Sequence, residues 1–176
     1  LYYLSVYQTG SALAGSEVQF DLVYGNKQGS GSVLFNTGIN GKSPTTTIYG
    51  QYRTLVNGDE NTDFSFGGIT ATEFYGISVS RNRYKESIFP GSLTLTLRSG
   101  SNSLVLTDDS QVVSSISFKD AGRVFQLISG SAGVRNTSKQ ANGYTVASGS
   151  YGWFLPDIGT ILLNPLALTA SVADGG

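Results

Sequence analysis

The chain has 176 residues, 39% hydrophobic and 13% charged, with 11 basic and 12 acidic side chains for a net charge of −1. That is enough for one domain with its own core, and it carries no general electrostatic attraction to nucleic acid or an anionic membrane. With no His and no Cys, the chain cannot by itself supply a Ser-His-Asp triad, a Cys nucleophile, a zinc site with nitrogen or sulfur ligands, or a disulfide.

There is no Met either, and Leu1 is too bulky to follow a removed initiator. Residues 1–176 therefore read as a single β-rich domain that is a fragment or processed part of a longer chain. Leu1–Tyr7 alternates loosely, as a strand does. Glu17–Tyr24 alternates well, with Val18, Phe20 and Leu22 on one face and Glu17, Gln19 and Asp21 on the other. A short strand over 32–35 and strands over Thr45–Tyr49 and Gln51–Val56 follow, the latter two on the β-branched residues after Pro44, with a turn at Asn57-Gly58-Asp59.

Ile69–Ser80 carries Phe74 and Tyr75, then Ile77 and Val79, and leads by way of Arg81–Glu86 into the central hairpin. The clearest pattern is a hairpin over 88–107: Leu93, Leu95 and Leu97 oppose Thr94, Thr96 and Arg98, Ser99-Gly100-Ser101-Asn102 turns, and Leu104 and Leu106 resume the alternation. Strands over Gln111–Phe118 and Arg123–Ile128 complete a four-stranded meander, and 130–143 is an exposed loop. The end concentrates Trp153, Phe154 and Leu155 with Ile161, Leu162 and Leu163, too short and broken to span a bilayer. No window shows capped helical periodicity. The expectation is an all-β fold, an antiparallel two-layer sandwich or related barrel with little helix.

Asp59, Asn61 and Asp63 alternate as in a calcium loop, but Phe64 stands at the glycine position and Thr70 at that of the bidentate Glu, so a solvated turn is the better reading. Asp108-Asp109 lies in a turn signal, and neighbouring residues of a strand point apart, which argues against an acid/base pair. Arg81, Arg83 and Lys85 share one face of an extended segment with Tyr84 opposite, a charged edge or an ion-paired contact before it is a phosphate strip. Asn136-Thr137-Ser138 fits the glycosylation pattern, a match common by chance. The 10 Tyr, 9 Phe and 1 Trp suit a core and interface.

Six blocks add a resemblance: Thr47–Arg53, Arg81–Glu86, Phe89–Leu97, Leu106–Asp109, Phe118–Arg123 and Gly149–Gly159. Over roughly 45–168 their order resembles virion structural proteins of contractile-tailed phages, of the type found in phages of marine cyanobacteria, whose members run longer at both ends. The resemblance implies a non-enzymatic component of tail, baseplate or neck. It would be assembled in the host cytoplasm and would contact other virion proteins and its own copies, without nucleic acid, membrane, cofactor, metal or catalytic residues. Arg81, Arg83 and Lys85 are expected to orient such contacts and Trp153, Phe154 and Leu155 to anchor them, an even choice against Trp153–Leu168 closing the domain's own core. The alternative is a carbohydrate-binding or adhesive module of a phage fibre. A weaker third is an enzyme using only carboxylates.

Overall fold

The structure, a computed structural model, describes residues 3–10, 13–31, 43–138, 141–145 and 147–173. It is mostly β, 42% strand and 17% helix, so the all-β antiparallel expectation holds. The elements in order are β1 (Tyr3–Tyr7), β2 (Val18–Asn26), α1 (Pro44–Asn57), β3 (Phe64–Phe66), β4 (Ile69–Ala71), β5 (Glu73–Val79), a 3-10 turn at Arg81–Arg83, β6 (Leu95–Ser99), β7 (Asn102–Asp108), β8 (Ser117–Lys119), β9 (Gly122–Ser131), β10 (Val134–Arg135), β11 (Gly152–Leu155), a 3-10 turn at Pro156–Ile158, β12 (Thr160–Leu163) and α2 (Pro165–Ala173).

One curled antiparallel sheet runs β1-β2-β5-β12-β11-β9-β7-β6, with β8 and β10 added to β9 and a separate β3-β4 hairpin. The hairpin expected from Leu alternation is present. Leu95 pairs Leu106, Leu97 pairs Leu104, and Ser99 pairs Asn102 across Gly100-Ser101.

Each face of the sheet carries a core. On one, Trp153, Leu155, Leu162 and Phe74 meet Tyr49 and Val56 of α1 and Phe64 and Phe66 of β3. The rings interlock edge to face, Phe64 and Phe66 lying 5.9 Å and 5.3 Å from Trp153. On the other face Phe154, Ile161, Leu163, Leu106 and Leu127 pack with Phe20 and Leu22 from β2 and with Leu93, Leu95, Leu97 and Leu104. Strands near opposite ends of the sheet share this second core because the sheet curls over it. Ala167 and Leu168 of α2 fill it further.

Three expectations are corrected. Thr45–Tyr49 and Gln51–Val56 form one helix, α1, not two strands. Pro44 suits the first turn, where its missing N–H costs nothing, and Gly58 ends the helix in the left-handed region at φ 75°, its N–H bonding Thr54 O at 3.0 Å. Ile48, Tyr49, Tyr52 and Val56 recur at helical spacing and pack on the sheet. Gln111–Phe118 is mostly a loop, with only Ser117–Lys119 paired, so the meander runs β6-β7-β9 with β8 as a spur. Within 130–143, Val134 and Arg135 pair back onto Ser131 and Gly130. The strand expected over 32–35 lies outside the described residues.

Candidate functional site

The six residues expected to make contacts divide into two groups. Trp153, Phe154 and Leu155 are 3%, 0% and 0% exposed within the single chain. Their strand is central, between β12 and β9 and covered on both faces, so they are core and not anchors for a partner. Pro156 and Gly159 sit in the turn joining β11 to β12.

Arg81, Arg83 and Lys85 are exposed but do not form an extended strip, because Arg81–Arg83 is a 3-10 turn. Arg81 donates to Tyr84 O at 2.7 Å and lies 4.7 Å from that ring's centroid, while Arg83 pairs with Glu17 at 2.6 Å. Arg81 and Arg83 are thus engaged with different neighbours.

The acidic clusters are committed to the fold to different degrees. Asp59 Oδ1 accepts the N–H groups of Asn61 and Thr62, both at 2.6 Å, a local turn. Asp63 takes Lys27 at 2.6 Å and Arg53 at 3.3 Å, and these contacts hold its carboxyl below the usual range. Asp108, fully buried, accepts the Gly91 N–H on both oxygens at 2.9 Å and 3.0 Å and so clamps the turn after Pro90. Among the described residues no group of three or more acidic side chains is placed to hold a metal ion.

Asp109 differs. It follows the end of β7 and exchanges backbone contacts with β9: its N–H donates to Gln126 O at 3.1 Å, and its Oδ1 accepts Gln126 N–H at 2.9 Å. Its carbonyl then takes the N–H groups of Val112 and Val113 at 2.9 Å and 3.1 Å, which bends the following loop back over the strand. Loop and sheet border an open cavity of about 380 Å³ walled by Val112, Val113, Val124, Ser114, Ser117 and Gln126, with Asp109 among its lining residues. The residue is 8% exposed. Burial first, and the neighbouring Asp108 charge second, push its pKa up to about 6.

A carboxyl with that pKa can exchange protons near neutrality. Asp108, its acidic neighbour among the described residues, is occupied by backbone N–H groups, so the two do not form a working pair.

Around the cavity the loop is uncharged from Gln111 to Phe118 and exposes Val112 (49%), Val113 (40%), Ile116 (50%) and Phe118 (68%). Periodicity had marked these residues as a strand. What sequence reading missed is that their apolar side chains face solvent, for which the string Val-Val-Ser-Ser-Ile-Ser-Phe carries no signal of its own. Comparisons of the chain with protein-family models, with curated proteins and with solved structures give no match.

Proposed function

We propose that the chain is a non-enzymatic structural component of a tailed-phage particle, in tail, baseplate or neck, working through contacts with other virion proteins and with copies of itself. The phage assignment rests on the ordered sequence blocks over roughly 45–168. The observation that carries the contact role is the loop bearing Val112, Val113, Ile116 and Phe118, all exposed and without a charge among them. A contiguous run of large apolar side chains held in water, as distinct from the scattered exposed ones elsewhere, marks a surface covered in use. The outer edges of β1 and β6, at the two ends of the sheet, offer further backbone groups for pairing. Mass spectrometry of purified particles is expected to find the chain at a fixed multiple copy number. Its absence from washed virions overturns the assignment.

A second reading, a carbohydrate-binding module of a phage fibre, draws on one specific arrangement. Tyr75, 46% exposed, lies beside Tyr24 with ring centroids 5.1 Å apart, and Tyr24 OH donates to Glu73 while Asn26 Nδ2 donates to Tyr24 OH at 3.2 Å. An exposed ring bordered by planar polar groups suits a sugar face. Binding on a glycan array that is lost in Tyr75→Ala would favour this reading.

A further inference from the structure

We propose that the cavity beside Asp109 receives the lysine side chain of a partner polypeptide, with its ammonium seated on the Asp109 carboxylate. The proposal deepens the protein-contact reading and rests on it only in requiring that the ammonium belong to a protein.

The argument begins from a charge without a counter-charge. Asp109 is 8% exposed and joins no ion pair among the described residues. Oδ1 is held by Gln126 N–H at 2.9 Å, whereas Oδ2 has no hydrogen-bond partner among the described residues and is not sealed from solvent, so a ligand can reach it. Buried carboxylates are normally paired or saturated with donors, as Asp108 next to it is. The groups facing Asp109 from every side bring no cation: Val124, Gln126 and Ser117 come from β9 and β8, Val112, Val113, Ser114 and Ser115 from the loop, and Asp108 from its own strand adds a second negative charge. No described residue supplies a positive charge there, and a partner's cation can.

The shape of the cavity selects the kind of cation. Valine side chains at 112, 113 and 124 offer an apolar wall to an alkyl stem, and serine hydroxyls offer acceptors for the remaining ammonium protons. A guanidinium prefers two free carboxylate oxygens in a fork, whereas one is already occupied here, so the compact point charge of lysine fits better than arginine. The exposed apolar loop at the rim can cover the stem once a partner is docked.

The test titrates the full 176-residue chain with Nα-acetyl-lysine methylamide while the valine methyl resonances are followed by NMR. Saturable shifts confined to Val112, Val113 and Val124 are expected in the low millimolar range, on the order of 1–10 mM for a single side chain. Affinity should fall about tenfold or more in Asp109→Asn, and also in the unmodified protein on moving from pH 7.5 to pH 5, where the carboxyl protonates. The pH arm needs no variant, so a folding defect cannot mimic the result. No saturable shift up to ~50 mM, equal shifts with the norleucine analogue, or unchanged binding in Asp109→Asn overturns the proposal. Tighter binding of the arginine analogue overturns the choice of lysine. None of these outcomes alters the expected presence of the chain in purified particles, so the two readings fail separately.

Discussion

Asp109 costs the fold stability that a neutral side chain would not. Its folded pKa of about 6 lies above the ordinary 3.8, so the native state binds the proton more tightly than the unfolded chain does. The stabilising contribution is complete below about pH 4 and is lost as pH rises through about 6. After allowance for solvent at the cavity mouth the loss is about 1–2 kcal/mol. Asp109→Asn keeps an oxygen for Gln126 N–H and should raise the denaturant midpoint at pH 7.5 by a corresponding amount while flattening its dependence between pH 4 and 6. A variant no more stable than the parent at pH 7.5 would show that the buried charge is compensated. Trp153 makes the opposite case, a residue whose size matters and whose polarity does not. Its indole Nε1 is buried with no hydrogen-bond partner among the described residues, so Trp153→Phe loses volume but no bond and should cost about 1–2 kcal/mol. Trp153→Ala empties the space against Phe64 and Phe66 and should cost about 3–5 kcal/mol in the isolated chain. If urea melts of Trp153→Ala overlay the parent, the residue is not core.

At the scale of elements, the seat of α1 on the sheet is set by a close backbone approach. A Cβ placed on Gly25 of β2 would lie 2.6 Å from the Phe74 ring and 3.2 Å from the Tyr49 Cα of α1. Phe74 is fully buried and the helix backbone cannot step aside without lifting Tyr49 and Val56 off the sheet. Gly25→Ala should therefore destabilise by about 1–3 kcal/mol, read as a lower urea midpoint with an unchanged slope. An effect within ~0.5 kcal/mol would mean that helix and strand are less tightly engaged. The helix was the element least legible in the sequence. Its Pro44, its Gly58 and the spacing of Ile48, Tyr49, Tyr52 and Val56 are helical signals, but Thr45, Thr46, Thr47 and Gly50 lower its intrinsic propensity. Burial of its apolar side against Phe64, Phe74 and Trp153 outweighs that deficit. Strand β2 and the β6-β7 hairpin, by contrast, were read correctly, because the alternating apolar residues of each line the second core and alternation records that directly.

For the whole molecule, the assembly reading places the contact on the loop over Val112–Phe118, and a double substitution separates assembly from folding. Ile116→Ser with Phe118→Ser removes two side chains that are 50% and 68% exposed, so stability should change by no more than about 0.5 kcal/mol per site. In a complementation experiment the variant should accumulate as folded protein and be lost from purified particles by at least about tenfold, the consequence of removing about 1.4 kcal/mol or more of interface burial. Incorporation at the parental copy number would move the contact elsewhere, to the sheet edges or to the exposed Arg81–Lys85 segment.

Alternation and turn chemistry are local, and for that reason the sequence by itself determined the β class, the antiparallel hairpin over 88–107, the two faces of β2 and the chemistries closed to a chain without His or Cys. Coverage is not local. Whether Trp153, Phe154 and Leu155 served as partner anchors or as core depended on α1 and β3 closing one face and on Leu106, Leu127 and α2 closing the other, elements distant in the chain. The same holds in reverse for Val112–Phe118, whose apolar side chains the described residues leave 40–68% exposed, and for Asp109, whose acidity is set by a sheet and a loop folding over it. Burial of a given side chain is decided by what packs against it from elsewhere, and only the tertiary structure carries that information.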